Sequence, residues 1–436
     1  MADTRAQSGP VASYRWVILA FGIVAYSTSQ FARQNYGGVQ KFIAADFNLD
    51  RAALGLLGSV FFYAYALFQM PWGIASDRFG NRGVTAFGLF LIAMTMAGFA
   101  TSQSEGALLF WRCAAGVASA AVYVAMAGAL ARWFPPGERG FSQSTFAGVG
   151  GAAGESAAFF LMPILAIYFA SGWRSATNWM AAAIAVMAIT CFVFLRSAPP
   201  ASKATTSKPF PLALLGDLRL WCFAVIYMGF MIGVRNAQAW TVIYATDVYI
   251  TAHGFDLNSA VVAGGVLATL AYSLLGRGIG VPAAGRLSDA LVKRGVPRMT
   301  LVFVWLTLIV ILFQLLSMQV TTMWLVAIIV CVLGTAVNSF PLITVLVSET
   351  YGSEKTASVF GFINMLGQIA GATVLAASGY LGIALNTGER NSLAEYQGIW
   401  LAGMSSVAIT TAIGGAMYAA LRYRSASTPA VASPVP

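Results

Sequence analysis

The chain has 436 residues, 58% of them hydrophobic and only 9% charged, with a mean hydropathy of +0.75. Soluble domains carry about 25% charged residues, so the composition excludes an ordinary soluble fold and points to a polytopic membrane protein. The net charge of +10 is dispersed over short loops rather than gathered in a stripe, which argues against a nucleic-acid partner.

Residues 1–14 hold Asp3 and Arg5 but no apolar stretch leading to a small-residue cleavage site, so no cleaved signal is expected. Apolar runs of spanning length then occur at about 15–44, 52–76, 84–103, 106–133, 140–170 and 173–196. A second set follows at about 219–250, 258–286, 298–318, 322–348, 356–383 and 396–421. The polar segment Ser197–Leu214, with Lys203 and Lys208, divides them six and six. The expected fold class is an all-α polytopic membrane protein of twelve transmembrane helices in two six-helix pseudo-symmetric halves. The expected units are a tail 1–14, a bundle 15–196, a linker 197–214, a bundle 215–421 and a tail 422–436.

The basic residues orient the chain. With both termini cytoplasmic, seventeen fall on the cytoplasmic side, from Arg5 and Arg15 to Arg422 and Arg424, against Lys41, Arg51, Arg174 and Arg390 outside. Such a bias is the positive-inside pattern of a multi-pass cell (inner) membrane protein. Four arginines remain within spans: Arg33, Arg112, Arg235 and Arg277. Among the acids only Glu155 is deep; Asp247 and Glu349 sit near span ends, where water reaches.

A guanidinium inside a bilayer costs roughly 2.5–3.5 kcal/mol on insertion scales, so these arginines need partners. Arg33 lies about 27 Å along the first run, counted from Arg15 at 1.5 Å per residue. Four buried cations against one buried anion leave an interior that a negatively charged guest would balance. Arg33 and Arg235 occupy matching places, each some 16 to 18 residues after Arg15 or Arg219. Both are arginine, whose planar fork grips carboxylate or phosphate oxygens bidentately. Gln34 and Asn35, and Asn236 and Gln238, add neutral donors beside them, with Trp240, Tyr123 and Tyr272 as cavity-lining candidates. For any one aromatic, plain core packing is the competing reading.

Arg277 is read as a third substrate contact or as a partner of Glu155 across the two halves. Glu155 is the candidate proton-coupling site, and a permanent salt bridge is its alternative. Arg112 reads as a structural or gating residue. Asp77, Arg78, Arg82 and Asp289 sit at cytoplasmic helix ends and read as conformational latches. Gly148, Gly150, Gly151 and Gly154, and Gly276, Gly278 and Gly280, are expected to let the fifth and eighth helices slide. No Gly-Lys-Ser/Thr follows them, so no ATP site is expected. Cys113, Cys191, Cys222 and Cys331 lie in apolar runs without metal-ligand spacing, and His253 is the single histidine. No metal, no cofactor and no enzyme chemistry is expected.

The loop Gly73-Ile-Ala-Ser-Asp77-Arg78-Phe79-Gly80-Asn81-Arg82, echoed by Gly285-Arg-Leu-Ser-Asp289 through Arg294, resembles the signature of the major facilitator superfamily. Arg112-Cys-Ala-Ala-Gly116 resembles that superfamily's fourth-helix Arg-x-x-x-Gly element. Arg33-Gln34-Asn35-Tyr36, Val234-Arg235 with Trp240, and Gly172-Trp173-Arg174 resemble its organic-anion branches, the anion:cation symporters and the organophosphate:phosphate antiporters. Ala32, Ser119 and Ala147 stand where those branches carry acids or a histidine, which departs from their usual proton relay and from phosphate exchange. The sugar-porter Pro-Glu-Ser-Pro-Arg element is absent.

The resemblance implies a secondary active transporter importing a small organic anion, a carboxylate or sugar acid, by alternating access and proton-coupled symport. It also implies a monomer that works in the lipid bilayer. Organophosphate/phosphate or other anion exchange, nitrate-type uptake and iron-chelate uptake stay open. So does a transport-dead membrane sensor, disfavoured by tails of about 14 residues.

Overall fold

A computed structural model describes residues 10–135, 138–196, 212–386 and 392–427. Most of the expected tails, residues 197–211 of the linker with Lys203 and Lys208, and Arg390 lie outside the described residues, as do the side chains of Arg139, Glu354 and Lys355.

Among the described residues, twelve long helical units follow one another. They are α1 (Pro10–Phe47), α2 (Arg51–Phe79), α3 (Asn81–Ala100), α4 (Glu105–Trp133), α5 (Arg139–Tyr168) and α6 (Gly172–Phe194). After a short turn at Leu212–Gly216 come α7 (Leu218–His253), α8 (Leu257–Lys293), α9 (Arg298–Ser317), α10 (Met323–Tyr351), α11 (Ser353–Ala384) and α12 (Glu395–Ser427). The expected runs lie within a turn or two of these bounds. Eleven of the helices are long and apolar enough to cross a membrane over their described residues. The exception is α1, whose length suffices but whose polar run Ser27–Asn35 dilutes its hydropathy.

Local chemistry sets the helix ends. Asp50 caps α2 by accepting from the Ala53 amide at 2.9 Å, and Asp256 caps α8 through the Asn258 and Ser259 amides. Between α2 and α3 the chain turns at Gly80 with φ 84° and ψ 149°, a conformation that a side chain would strain. Two helices depart from simple α geometry. In α8 the stretch Ala268–Gly280 is wound as a π-helix, the wider i→i+5 turn. In α10 the helix breaks at Asn338–Phe340 and restarts at Pro341, which needs no amide partner in a first turn.

The two sets of six pack alike. Within the first, α1 lies on α5, α2 on α4 and α3 on α6; within the second, α7 lies on α11, α8 on α10 and α9 on α12. Across the sets, α2 packs on α11 and α5 on α8, with α1 facing α7 near the centre. This is the parallel-repeat transporter architecture, with its cavity at the repeat interface. The glycines divide differently from the sequence expectation. Gly150 and Gly154 admit the α1 backbone at Ile23 and Ser27, and Gly276 and Gly280 admit α10 at Cys331 and Thr335. Only Gly151 of the two groups faces across to α8, where a Cβ would lie 2.7 Å from Nη2 of Arg277. The small residues therefore serve packing within each half more than sliding between halves.

Candidate functional site

Depth along α1, α4 and α7 brings three arginines to one small cavity of about 20 Å³. Its lining includes Arg33, Gln34 and Tyr36 from α1, Arg112 from α4, and Arg235 and Gln238 from α7, with Phe62 and Leu375 as apolar walls. That volume is room for about one water, so the halves are closely approximated here. No Asp or Glu lines the cavity among the described residues.

Arg33 is 6% exposed, and its Nε and Nη2 have no hydrogen-bond partner among the described residues. Its guanidinium carbon lies 4.4 Å from the Tyr65 ring centre, with Phe61 and Phe62 further off. Ring faces attract a cation but leave its N–H groups unspent. Arg235 sits 3.9 Å from the Phe62 centre and donates only to neutral amides. Its Nη1 reaches Oε1 of Gln238 at 2.6 Å, while Nε and Nη2 reach Oε1 of Gln368 at 3.1 and 2.7 Å. Arg112 gives its Nε to the Leu57 carbonyl at 3.3 Å and packs over Tyr36 and Phe61. The sequence read Arg112 as a structural or gating residue; seven residues into α4, it reaches the lining.

Glu155, fully buried, joins four helices. Its Oε1 accepts from Gln34 at 3.1 Å and Gln238 at 2.7 Å, and its Oε2 accepts from Arg277 at 2.9 Å. Of the two readings open for Arg277, the pair with Glu155 is the one observed, and Arg277 does not line the cavity. A salt bridge between α5 and α8 accounts for its charge.

The other candidates lie apart. Asn35 is buried away from the cavity. Asn236 turns to its own helix, donating to the Ile232 carbonyl at 3.0 Å beside Gly403 of α12. Trp240 donates to Ser378 at 3.0 Å, in the seam where α2 meets α11. Tyr123 packs on Tyr26 and Phe146, and Tyr272 accepts from Asn338 at 3.3 Å where α8 meets α10. The latch candidates hold helix ends within one half. Asp77 lies 3.9 Å from Arg132, Arg78 lies over Phe79, Arg82 donates to the Phe192 carbonyl at 2.6 Å, and Asp289 accepts from Arg298 at 2.9 Å.

Sequence reasoning missed a second charged centre, at the end of the bundle remote from the termini. The sequence put Arg51 outside the membrane and Asp247 near a wet span end and did not single out Glu395, yet the three are 1%, 4% and 0% exposed. Arg51 reaches Asp247 at 2.5 Å and Glu395 at 3.2 Å, Lys41 also pairs with Asp247, and Tyr396 donates to Asp247 at 2.8 Å. Two cations and two anions thus tie α1 and α2 to α7 and α12. Glu155 is therefore not alone as a buried acid.

Paired helical repeats meet around a central, cation-lined cavity. The sequence profile of the Major Facilitator Superfamily matches residues 22–376, and the chain belongs to that family. It is 27% identical over 199 residues to the probable sulfoacetate transporter SauU of Cupriavidus necator, covering 44% of each chain. It is 27% identical over 179 residues to the probable galactarate/D-glucarate transporter GudP of Bacillus subtilis, covering 38% of each. Each match thus spans less than half the relative's length. Among solved structures, a bacterial homologue of the human lysosomal transporter Spinster, in an inward-facing and unoccupied conformation, superposes with a TM-score of 0.75 at 17% identity. That superposition covers 94% of this chain and 97% of the other, and shows the fold.

Proposed function

We propose that this protein carries a small organic anion, a carboxylate or sugar acid, across the cell (inner) membrane by alternating access, with both termini in the cytoplasm. The observation that carries this reading is the buried guanidinium of Arg33, with two N–H groups unpaired, beside Arg235 whose acceptors are neutral amide oxygens. A carboxylate makes stronger, charge-assisted bonds than an amide carbonyl. An anion entering between the halves therefore displaces Gln238 and Gln368 and bridges Arg33 of α1 to Arg235 of α7. The relatives named for sulfoacetate and for galactarate and D-glucarate support an organic acid as substrate. The asymmetry of basic residues along the chain supports the orientation.

Coupling to protons rests on Glu155, whose Oε1 is bridged by Gln238 to Arg235. When substrate takes Arg235, the Gln238 amide is freed, and the carboxylate loses one of its donors. Substrate binding and the surroundings of Glu155 are thereby linked. The test is uptake of radiolabelled organic acids by proteoliposomes with and without an inward proton gradient. Uptake that Arg33→Ala or Arg235→Ala leaves intact would sink the reading.

A further inference from the structure

We infer that the substrate carries two anionic groups, one gripped between Arg33 and Arg235 and the other by Arg112. The inference rests on the anion-carrier reading above and deepens it.

The charge balance of the interior leads there. Arg277 is matched by Glu155, and the remote cluster of Lys41 and Arg51 is matched by Asp247 and Glu395. Among the described residues, the deep charges left without a carboxylate are Arg33, Arg112 and Arg235, and all three line one cavity. A monoanion would leave two guanidiniums facing each other in a low-dielectric enclosure, where like charges repel far more than in water. A dianion leaves one, and that remainder is spread over aromatic faces: Tyr65 for Arg33, Phe62 for Arg235, Tyr36 and Phe61 for Arg112.

The hydrogen bonds agree with the charges. Arg33 keeps Nε and Nη2 unspent while 6% exposed. Arg112, 5% exposed, spends Nε on the Leu57 carbonyl, and no bond among the described residues engages its terminal nitrogens. Arg235 alone has three N–H groups occupied, by acceptors an anion can replace. Two residues of one cavity thus hold open donors, Arg33 for the group it shares with Arg235 and Arg112 for the second. The chemical class is a dicarboxylate, a sulfocarboxylate or a phosphorylated acid rather than a monocarboxylate.

The experiment is calorimetric titration of the full chain with two matched pairs, D-glucarate against D-gluconate and sulfoacetate against methanesulfonate, in chloride and in chloride-free buffer. The expected result is that at least one dianion binds about tenfold or more tightly than its monoanionic partner. Arg112→Gln should cost the dianion about tenfold more affinity than its monoanionic partner and so erase that ratio. Equal affinity within each pair, monoanion binding that requires chloride as a second ion, or an equal loss for both in Arg112→Gln overturns the inference. Should that variant not fold, the wild-type protein is titrated with succinate against succinamate, which differ only in the charge of the second group. The diacid should bind about tenfold or more tightly, and equal affinity overturns the inference. Binding by none of these anions overturns the anion-carrier reading itself.

Discussion

Gln368 of α11 accepts both Nε and Nη2 of Arg235, at 3.1 and 2.7 Å, so a neutral side chain occupies the two parallel donors that suit a carboxylate. The same glutamine donates to Asn364 at 3.2 Å, and Asn364 donates to Gln69 of α2 at 3.2 Å. Gln368→Glu should place a carboxylate on Arg235 that the substrate must displace. Apparent affinity in uptake assays should fall by about tenfold or more, while the melting temperature holds or rises. An unchanged KM would show that Arg235 does not meet substrate.

Arg33 opposes folding, because its guanidinium is buried without an acid and with unspent donors. Replacing an uncompensated buried charge with an apolar side chain of like volume relieves that cost. Arg33→Met should therefore melt higher, by about 2–4 °C for each kcal/mol gained, and should not transport. Arg33→Lys should also impair uptake, since a point charge lacks the bidentate fork. Lower stability in Arg33→Met would mean that the arginine has a structural partner.

Glu155 and Arg277 form the opposite case. Glu155→Gln leaves Arg277 without its carboxylate, and breaking such a pair costs about 3–5 kcal/mol. The double variant Glu155→Gln, Arg277→Gln should recover part of the lost thermal stability. If Glu155 also carries the proton, a detergent-stable Glu155→Gln protein should keep substrate counterflow yet lose accumulation against a gradient. Accumulation by that variant at the native rate would remove Glu155 from coupling.

The remote cluster should behave as one unit. Arg51→Gln removes the one cation that Asp247 and Glu395 share, so it should cost more stability than Lys41→Gln, whose partner keeps Arg51 and Tyr396. A thermal double-mutant cycle between Arg51 and Asp247 should show coupling of about 1–3 kcal/mol. Additive losses would mean that the close contacts hold nothing.

Much of this architecture was legible because lipid imposes a coarse grammar. Twelve apolar runs became twelve helical units, and the repeat around Asp77 and Asp289 matched two alike-packed halves. Arg33, Arg235, Gln34 and Gln238 met at one cavity because a deep polar group in an apolar run has few places to go. Arg51 and Glu395 escaped notice because a charge at a span's end reads as a loop residue, and burial there depends on which helices lean together. Gln368 escaped because one neutral glutamine in an apolar helix carries no signal until its partner is known. Asn236 and Trp240 erred the other way: proximity in sequence to Arg235 put them on other faces of α7, since neighbours on a helix do not share a face. The π-helical winding of α8 had no sequence signal we recognised.

The cluster of Arg51 with Asp247 and Glu395 also bears on timing. At the end of the bundle that holds the termini, the ion pairs among the described residues stay within a half: Arg15 with Glu138, Asp77 with Arg132, and Arg298 with Asp289 and Glu349. Parting the halves there breaks no salt bridge among the described residues, only neutral contacts such as Asn364 to Gln69. Parting them at the remote mouth must rehydrate two carboxylates and two cations at once. The two ends therefore differ in what holds them, and in the proposed transport cycle opening the remote mouth should be the slower step. Turnover should rise when that mouth is loosened and stay level when the other is, until a cluster weakened too far lets the carrier idle open.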